Sequence, residues 1–249
     1  MFINIIYIEK PKMTNRVKTL SIVIPARNEE ATISGVLEEV DKVIKNLKGT
    51  KFEIIVVDDG STDKTFEISK KYTNKVFTNT GEHGKGNALR FGFNKATGDV
   101  IIMMDADYSH IASDIPKFIE KINEGYSFVI GSRALGGSGE YTLVRSFGNW
   151  ALTQAFRIFF GIKLSDPLNG YKAFVKDIVK NYNYKSSNFE IEIELIANAL
   201  KYDGKIIEFP SFERERAGGE MKSKALREGI RFLLAIIKHG IKYRASNKS

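Results

Sequence analysis

The chain has 249 residues, of which 43% are hydrophobic, and it carries a formal net charge of +8 and no cysteine. Disulfides and zinc sites built on thiolates are therefore excluded, and the apolar content suffices for a sizeable globular core. Most of the positive excess lies in residues 221–249, which hold eight Lys or Arg side chains and one acid, so we expect a local anionic target for this segment and no nucleic-acid partner.

Residues 1–19 are expected to form an N-terminal extension, either a short extra strand or a loose segment. The apolar run 2–8 lacks the preceding basic flank and the following small-residue cleavage site of a signal peptide, and translation could begin at Met13. Near the C-terminus, the longest apolar run covers residues 232–237, far short of the about 18 residues that span a bilayer. The sequence therefore predicts neither a signal peptide nor a transmembrane helix.

Apolar, strand-like runs alternate with segments of helical periodicity through the first half. The predicted strands cover residues 20–24, 52–57, 75–78, 100–104 and 128–131, and the predicted helices cover 29–47, 63–72, 86–95 and 115–123. Ser61 or Thr62 is expected to cap the second helix. This alternation predicts an α/β fold in which helices flank a mostly parallel sheet.

The second half is less regular. Helical periodicity covers residues 144–160 and 190–202, and strand-like runs cover 171–175 and 205–209. Residues 224–243 predict an amphipathic helix with basic flanks, whose apolar side chains are Leu226, Ile230, Leu233, Leu234, Ile237 and Ile241. Such a helix either packs on the core or lies in a membrane interface, and the basic excess favours an anionic membrane surface. We therefore expect one domain over residues 20–220 and a basic membrane-interface helix over 221–249.

The most informative motif is Asp105-Ala106-Asp107, which directly follows the apolar run 100–104. Two carboxylates at the end of a buried strand are costly unless something neutralises them. Oxygen ligands of this kind suit Mg²⁺ or Mn²⁺, and such an ion on a nucleoside diphosphate would take up the charge of a leaving group. The alternative is an acidic turn that caps the next helix.

Further polar motifs follow neighbouring strands, at the sheet edge where ligands of α/β proteins bind. Asp58 and Asp59 end the second strand and could accept hydrogen bonds from a ribose or a base. The glycine-rich turn around Lys85 could bring a helix N-terminus close to phosphates. Candidates for an anionic group are Arg133, Arg145, Arg214, Arg216, Lys222 and Lys224. The glycine-rich segments 136–139 and 217–219 could be mobile over the site.

In this order the motifs resemble family 2 glycosyltransferases with the GT-A nucleotide-sugar-binding fold, and more closely the dolichyl-phosphate mannose and glucose synthase branch. The resemblance covers roughly residues 20–237. Its blocks are residues 22–29, 57–61, 84–86, 105–110, 131–133, 165–170 and 190–192, then Arg216, Gly219, Ser223 and Lys224.

The resemblance implies a role for each of these sites. The nucleotide sugar would be bound by Pro25, Arg27, Glu29, Asp58, Asp59, Lys85, Asp105 and Ala106. Asp105 and Asp107 would hold the metal, and the catalytic residues would be Asp107, Arg133 and Asp166. The acceptor phosphate would be bound by Arg133, Arg145, Arg216 and Lys224.

The implied reaction is an inverting, metal-dependent transfer of a hexose from GDP-mannose or UDP-glucose to a polyprenyl (dolichyl) phosphate. A phosphate monoester is largely anionic near neutral pH, because its second pKa is about 6, so it can attack without a strong base. Asp166 would orient the sugar or contact the acceptor, and it would serve as general base only for a hydroxyl acceptor.

Three departures from the family pattern leave alternatives open. Ser109 stands where the family often has a Gln that can contact the metal, so water or His110 would substitute. Asn149 stands where a small hydroxyl residue often follows Arg145. The segment after Arg214 is longer than in the family, so Arg214 or Arg216, and Lys222 or Lys224, could fill the acceptor-binding positions.

Other functions also remain open at this point. A family 2 transferase that uses a sugar hydroxyl, a nucleotidyltransferase and a non-catalytic membrane-associated module are the competitors, although residues 25–30 lack the Gly-rich, Arg-containing loop of a nucleotidyltransferase. We expect a peripheral protein at the cytoplasmic face of a membrane. The apolar stretch 144–160 could line a lipid groove or form a homodimer surface, and an integral-membrane partner is a further alternative.

Overall fold

The computed structural model describes residues 17–140, 142–180, 182–217 and 225–246. Its strands are β1 (Thr19–Ala26), β2 (Lys51–Asp58), β3 (Val76–Thr78), β4 (Val100–Met103), β5 (Phe128–Ser132), β6 (Lys172–Val175) and β7 (Ile206–Pro210). Its helices are α1 (Ile33–Ile44), α2 (Thr65–Ser69), α3 (Lys85–Lys95), α4 (Ile115–Asn123), α5 (Arg133–Gly136), α6 (Leu143–Phe160), α7 (Ile191–Tyr202) and α8 (Ala225–Ser246). The predicted N-terminal extension lies outside the described residues as far as residue 16.

The strands form one seven-stranded sheet in the order β3-β2-β1-β4-β6-β5-β7. Only β6 runs antiparallel to its neighbours β4 and β5 among the described pairs, so the predicted mostly parallel α/β sheet is confirmed. The chain runs outward from β1 through β2 to β3 and then crosses back to β4 on the other side of β1. The strand order therefore reverses between β1 and β4, which opens a crevice at the carboxyl ends of these two strands. The register pairs Ala26 with Asp58 and so brings the turns after β1 and β2 side by side.

Helices cover both faces of this sheet, and two apolar cores result. Ile22 and Ile24 of β1 pack in the core that contains residues of α1 and α4. Val23, which points the other way because side chains alternate along a strand, packs in the core that contains residues of α3, α6, α7 and α8. Burial on both faces explains why the strands read as continuous apolar runs.

The predicted cap of α2 is wrong, and the helix is shorter than predicted. Asp63 Oδ1 accepts hydrogen bonds from both the backbone N–H (3.0 Å) and the hydroxyl (2.5 Å) of Thr65. Ser61 Oγ instead accepts the N–H of Asn28 (3.0 Å), and the N–H of Thr62 donates to Asn28 Oδ1 (2.7 Å). The two hydroxyl residues therefore join the turns that follow β1 and β2.

The predicted amphipathic helix at the C-terminus is present as α8. Its apolar stripe faces away from the core, with Leu226 79% and Leu234 60% exposed. The opposite side packs on α6 and α7, and a Cβ at Gly240 would lie 2.7 Å from Phe159 Cβ, so the helices approach closely there. No helix within the described residues is long and apolar enough to cross a membrane.

Candidate active site

The parallel strands β1, β2 and β4 end at the same edge of the sheet, as the sequence predicts, and Asp59 joins the turn after β2 to the glycine-rich turn. Asp59 Oδ2 accepts the N–H of Gly84 (2.8 Å), and Asp59 Oδ1 accepts the side-chain N–H of Asn79 (2.7 Å). Asp58 Oδ2 accepts the N–H of Ser61 at 3.3 Å. Asp58 Oδ1 is buried without a hydrogen bond within the described part of the chain, so it can still accept one from a ligand.

The other residues predicted for the nucleotide lie around the same crevice. Arg27 is half-exposed, with Nη1 4.0 Å from Asp59 Oδ2. Pro25 pairs in register with Val57 near the end of β1. The backbone N–H of Glu29 donates to Thr65 Oγ1 (2.7 Å).

The start of α3 is not an open anion site at its first amides. The N–H groups of Gly86 and Asn87 donate to the carbonyl of Ser187, at 2.9 and 3.2 Å. A Cβ at Gly86 would lie 2.6 Å from the carbonyl oxygen of Ser186, so only glycine fits this close backbone approach. Lys85 therefore supplies the positive charge of this turn through its side chain.

Lys85 belongs to a chain of four alternating charges that runs from the core to the metal motif. Its Nζ lies 2.6 Å from Asp105 Oδ1 and 3.2 Å from Glu192 Oε1. Glu192 Oε2 lies 2.8 Å from Nζ of Lys172, and both of these side chains are buried. Burial alone would raise the pKa of Asp105, but the Lys85 ammonium and weaker cations hold it well below its usual value. Asp105 is therefore ionised and oriented.

Asp107 is held by the turn that follows it and by one arginine. Its Oδ1 accepts the N–H (3.1 Å) and the hydroxyl (2.5 Å) of Ser109, and its Oδ2 lies 3.1 Å from Nε of Arg216. His110 Nδ1 accepts the backbone N–H of Asp105 (3.0 Å), and its ring stacks on Tyr171. The other nitrogen of a neutral His110 ring then carries the proton, which makes His110 a poor metal ligand.

The donor set at this motif fits a divalent ion that arrives with substrate. No group of three or more His, Cys, Asp or Glu side chains in the described segments could hold a metal ion. Asp105 and Asp107 offer carboxylate oxygens, and Mg²⁺ is often bound through one or two carboxylates with substrate phosphates and water completing its shell. The residues present therefore fit Mg²⁺ or Mn²⁺ on a nucleoside diphosphate.

Arg133 is buried and braces the site. Its Nε and Nη2 donate to the two carboxylate oxygens of Asp166 (2.7 and 2.9 Å), and its Nη1 lies 3.2 Å from Glu213 Oε1. Burial raises the pKa of Asp166, but Arg133 lowers this pKa by more than burial raises it, so the result lies below the usual value. Asp166 is thus a poor proton acceptor, and an acceptor phosphate would meet Arg133 only if these ion pairs opened.

The two other predicted arginines meet at Glu140, a residue that the sequence analysis missed. The guanidinium of Arg145 pairs with Glu140 Oε2, and the backbone N–H of Arg216 donates to Glu140 Oε1 (2.9 Å). Arg214 lies elsewhere, 3.0 Å from Glu39 and over the ring of Tyr108. Of the two candidate arginines, Arg216 is therefore the one whose guanidinium reaches a carboxylate of the metal motif, that of Asp107. Lys222 and Lys224 lie outside the described residues, with Gly219 and Ser223.

The glycine-rich segment 136–139 is held to residues 211–213 by backbone hydrogen bonds and close packing. The N–H of Gly139 donates to the carbonyl of Glu213 (2.8 Å), and the N–H of Glu213 donates to the carbonyl of Gly137 (3.1 Å). A Cβ at Gly136 would lie within 2.5 Å of the backbone of Ser211. Backbone hydrogen bonds and close packing thus hold residues 136–139, and residues 218 and 219 of the second segment lie outside the described part.

The sequence is similar to one protein family and to several characterised proteins. The family model for glycosyl transferase family 2 matches residues 21–182. A dolichol-phosphate mannosyltransferase of Pyrococcus furiosus is 34% identical over 88% of this chain and 64% of its own length. A dolichyl-phosphate hexose transferase of Haloferax volcanii is 28% identical over 80% of this chain and 84% of its own length. The chain thus spans less than two thirds of the Pyrococcus relative.

Solved structures show the same fold. Glucosyl-3-phosphoglycerate synthase from Mycobacterium tuberculosis, crystallised with Mn²⁺, UDP and glucosyl-3-phosphoglycerate, superposes with a TM-score of 0.71. That match covers 89% of this chain and 80% of the synthase chain, at 23% sequence identity. At this identity the likeness concerns the architecture alone.

Proposed function

We propose that this chain, which belongs to glycosyl transferase family 2, transfers a hexose from a nucleoside-diphosphate sugar to a polyprenyl phosphate such as dolichyl phosphate. The donor would be GDP-mannose or UDP-glucose, the reaction would invert the anomeric centre, and Mg²⁺ or Mn²⁺ would be required. Both curated relatives named above carry dolichol or dolichyl phosphate in their names, which supports this acceptor class.

One observation carries the choice of a lipid phosphate as acceptor. Arg145 and Arg216 supply guanidinium groups suited to phosphate, and Arg145 directly follows the exposed apolar start of α6. Leu143 is 92% exposed and Val144 83% exposed, and Phe147 on the next turn is exposed as well. In a lipid phosphate, the anionic headgroup would meet the arginines and the long apolar tail would meet the exposed hydrophobic side chains beside them.

Different residues of the described chain would bind the nucleotide, the metal and the acceptor in the proposed reaction. The free oxygen of Asp58 can accept a hydrogen bond from the nucleotide, and Asp105 and Asp107 would hold the metal, which when bound takes up negative charge on the leaving nucleoside diphosphate. Arg145 and Arg216 would align the acceptor phosphate with the anomeric carbon.

A lipid phosphate also suits the weak basicity of Asp166. A phosphate monoester is largely ionised near neutral pH and needs no group to remove a proton. A sugar hydroxyl would need a general base, and the low pKa of Asp166, paired with Arg133, supplies a poor one. The low pKa of Asp166 therefore favours a phosphate over a hydroxyl as the acceptor.

A transfer assay tests the proposal. Purified protein is mixed with Mn²⁺, dolichyl phosphate in detergent, and radiolabelled GDP-mannose or UDP-glucose in separate tubes. We expect a metal-dependent labelled product that extracts into organic solvent with one of the two donors. Nucleotide release without lipid product would point instead to a hydroxyl acceptor. No turnover with either donor, despite measurable donor binding, would contradict the proposal and favour a non-catalytic module.

We also propose that the exposed stripe of α8, with the start of α6, lies in the interface of an anionic membrane, at its cytoplasmic face. The stripe residues Ile230, Leu234 and Ile241 are exposed, and basic side chains such as Arg227, Lys238 and Lys242 stand on the same helix. Apolar side chains that enter the interface and basic ones that meet anionic lipid act together in such helices.

Vesicle sedimentation tests this membrane face. The double variant Ile230→Ser with Leu234→Ser should bind vesicles that contain anionic phospholipid at least about tenfold more weakly than the unmodified chain, because each buried side chain of this size contributes about 1.5–3 kcal/mol. Phe52→Ser, which changes an exposed side chain on β2, is the matched control and should bind normally. Equal binding of the double variant, or equal binding to purely zwitterionic vesicles, would contradict the proposal.

A further inference from the structure

Glu140 joins two parts of the chain that are far apart in sequence. Its side chain is mostly buried in the segment between α5 and α6. Through Oε2 it pairs with the guanidinium of Arg145, which stands five positions later, and through Oε1 it accepts the backbone N–H of Arg216, 76 positions later. One carboxylate therefore fixes both the side chain of one arginine and the backbone of the other.

Glu140 is itself held in place by polar contacts that lead to the buried Arg133. Its N–H donates to Ser138 Oγ (3.1 Å), and the Ser138 hydroxyl donates to Glu213 Oε2. Glu213 Oε1 in turn lies 3.2 Å from Nη1 of the buried Arg133. The carboxylate that meets the two arginines is thus the end of a chain of polar contacts anchored at the buried Arg133.

The charges explain why such a residue is needed. Burial raises the pKa of Glu140, but the backbone N–H of Arg216 and the guanidinium groups of Arg145 and Arg216 together hold it below its ordinary value. Two like charges brought together for one phosphate repel each other before the phosphate arrives. An ionised carboxylate that pairs with the guanidinium of Arg145 and accepts the backbone N–H of Arg216 offsets part of that repulsion and orders both arginines in advance, which lowers the entropy lost on binding.

We propose that Glu140 is a positioning residue that prepares Arg145 and Arg216 for the acceptor phosphate. This inference rests on the proposed function, since it concerns the acceptor of that reaction. Glu140 acts through the two arginines and does not touch the acceptor, because a carboxylate and a phosphate anion in contact would repel each other. Its loss should therefore weaken acceptor binding and leave donor binding unchanged.

Steady-state kinetics with Glu140→Ala, Arg145→Ala and the double variant test the proposal. Glu140→Ala should raise the KM for dolichyl phosphate about tenfold, the effect of losing about 1.4 kcal/mol, with the KM for the sugar nucleotide unchanged. The double variant should raise the acceptor KM by less than the product of the two single effects, because Glu140 acts partly through Arg145. Glu140→Gln should be intermediate, since its amide oxygen still accepts the N–H of Arg216.

Other outcomes separate this inference from the proposed function. Absence of lipid product with the unmodified chain would refute the proposed function itself. With an active unmodified chain, an unchanged or lowered acceptor KM in Glu140→Ala would overturn the inference, and so would single effects that multiply fully or an equal rise in both KM values. Thermal melting and nucleotide binding of each variant check its folding, and Glu140→Gln replaces the alanine in the same cycle if Glu140→Ala fails to fold.

Discussion

Asp107→Ala is expected to reduce hexose transfer by at least about a hundredfold, the loss that follows removal of one preorganised charge-stabilising group from an active site. The fold should survive, because Asp107 contacts Ser109 and Arg216 at the crevice and is not part of either apolar core. The measurements are the initial rate at saturating donor and Mn²⁺, and the affinity of Mn²⁺ with the nucleoside diphosphate by titration calorimetry. Metal affinity should fall together with the rate.

Two control variants accompany this prediction. Ser109→Ala removes the hydroxyl that donates to Asp107 but keeps both carboxylates, so most of the activity should remain. Asp41→Ala changes an acid on α1 that pairs with Lys45 four residues along the helix, and it should leave both rate and metal affinity unchanged. Near-normal turnover of Asp107→Ala would refute the metal assignment, as would full activity of the unmodified chain in excess EDTA.

Glu192→Ala is expected to lower the free energy of unfolding by about 3–5 kcal/mol, the range found when one partner of a buried ion pair is removed. Glu192 is 1% exposed and stands between the ammonium groups of Lys172 and Lys85. Its loss leaves the fully buried ammonium of Lys172, among the described residues, with hydrogen bonds to the carbonyls of Pro167 and Asn169. Urea denaturation followed by circular dichroism measures the change.

The pH dependence of this variant gives an independent check. Burial lowers the pKa of Lys172 below its ordinary value, although Glu192 acts in the opposite direction. Without Glu192 the pKa falls further, while in the unfolded chain it stays near 10.4. The unfolded variant then binds more protons than the folded one, so its stability should rise as the pH approaches the unfolded-state value of about 10.4, and more steeply than in the unmodified chain.

A double variant separates charge from packing at this position. Glu192→Gln with Lys172→Met removes both charges of the buried pair, and it should be more stable than Glu192→Gln alone, because no unpaired ammonium is then buried at position 172. A loss below about 1 kcal/mol in Glu192→Ala, the scale of an exposed ion pair, would show that the pair does not support the fold.

The elements of the first half could be predicted because strands buried on both faces read as short apolar runs and the intervening helices keep a 3.6-residue period. The direction of β6 could not. Its four residues, Lys172–Val175, carry no mark of strand polarity, and its pairing with β4 and β5 is decided by long-range contacts. The presence of a buried lysine at its first position was equally hidden, because its partner Glu192 comes 20 residues later.

The positions of the candidate site residues were predictable where they lie at strand ends and unpredictable where they depend on partners from distant segments. Asp58, Asp59, Asp105 and Asp107 follow strands, so the rule for parallel sheets places them correctly. The pairing of Arg133 with Asp166 and Glu213, the meeting of two arginines at Glu140, and the contact of Ser187 with the start of α3 join segments tens of residues apart. A single sequence carries no local signal for such contacts.

If the proposed membrane docking and lipid acceptor hold, the exposed apolar start of α6 has a kinetic consequence. Leu143 and Val144 are exposed and stand next to Arg145 in the chain, so a protein docked by this end of α6 would meet the acceptor headgroup within the plane of the lipid. The effective acceptor concentration is then a number of molecules per unit area, and dilution with inert phospholipid lowers the rate although the bulk amount is constant. Solvent volume ceases to matter for the acceptor and governs the water-soluble donor alone.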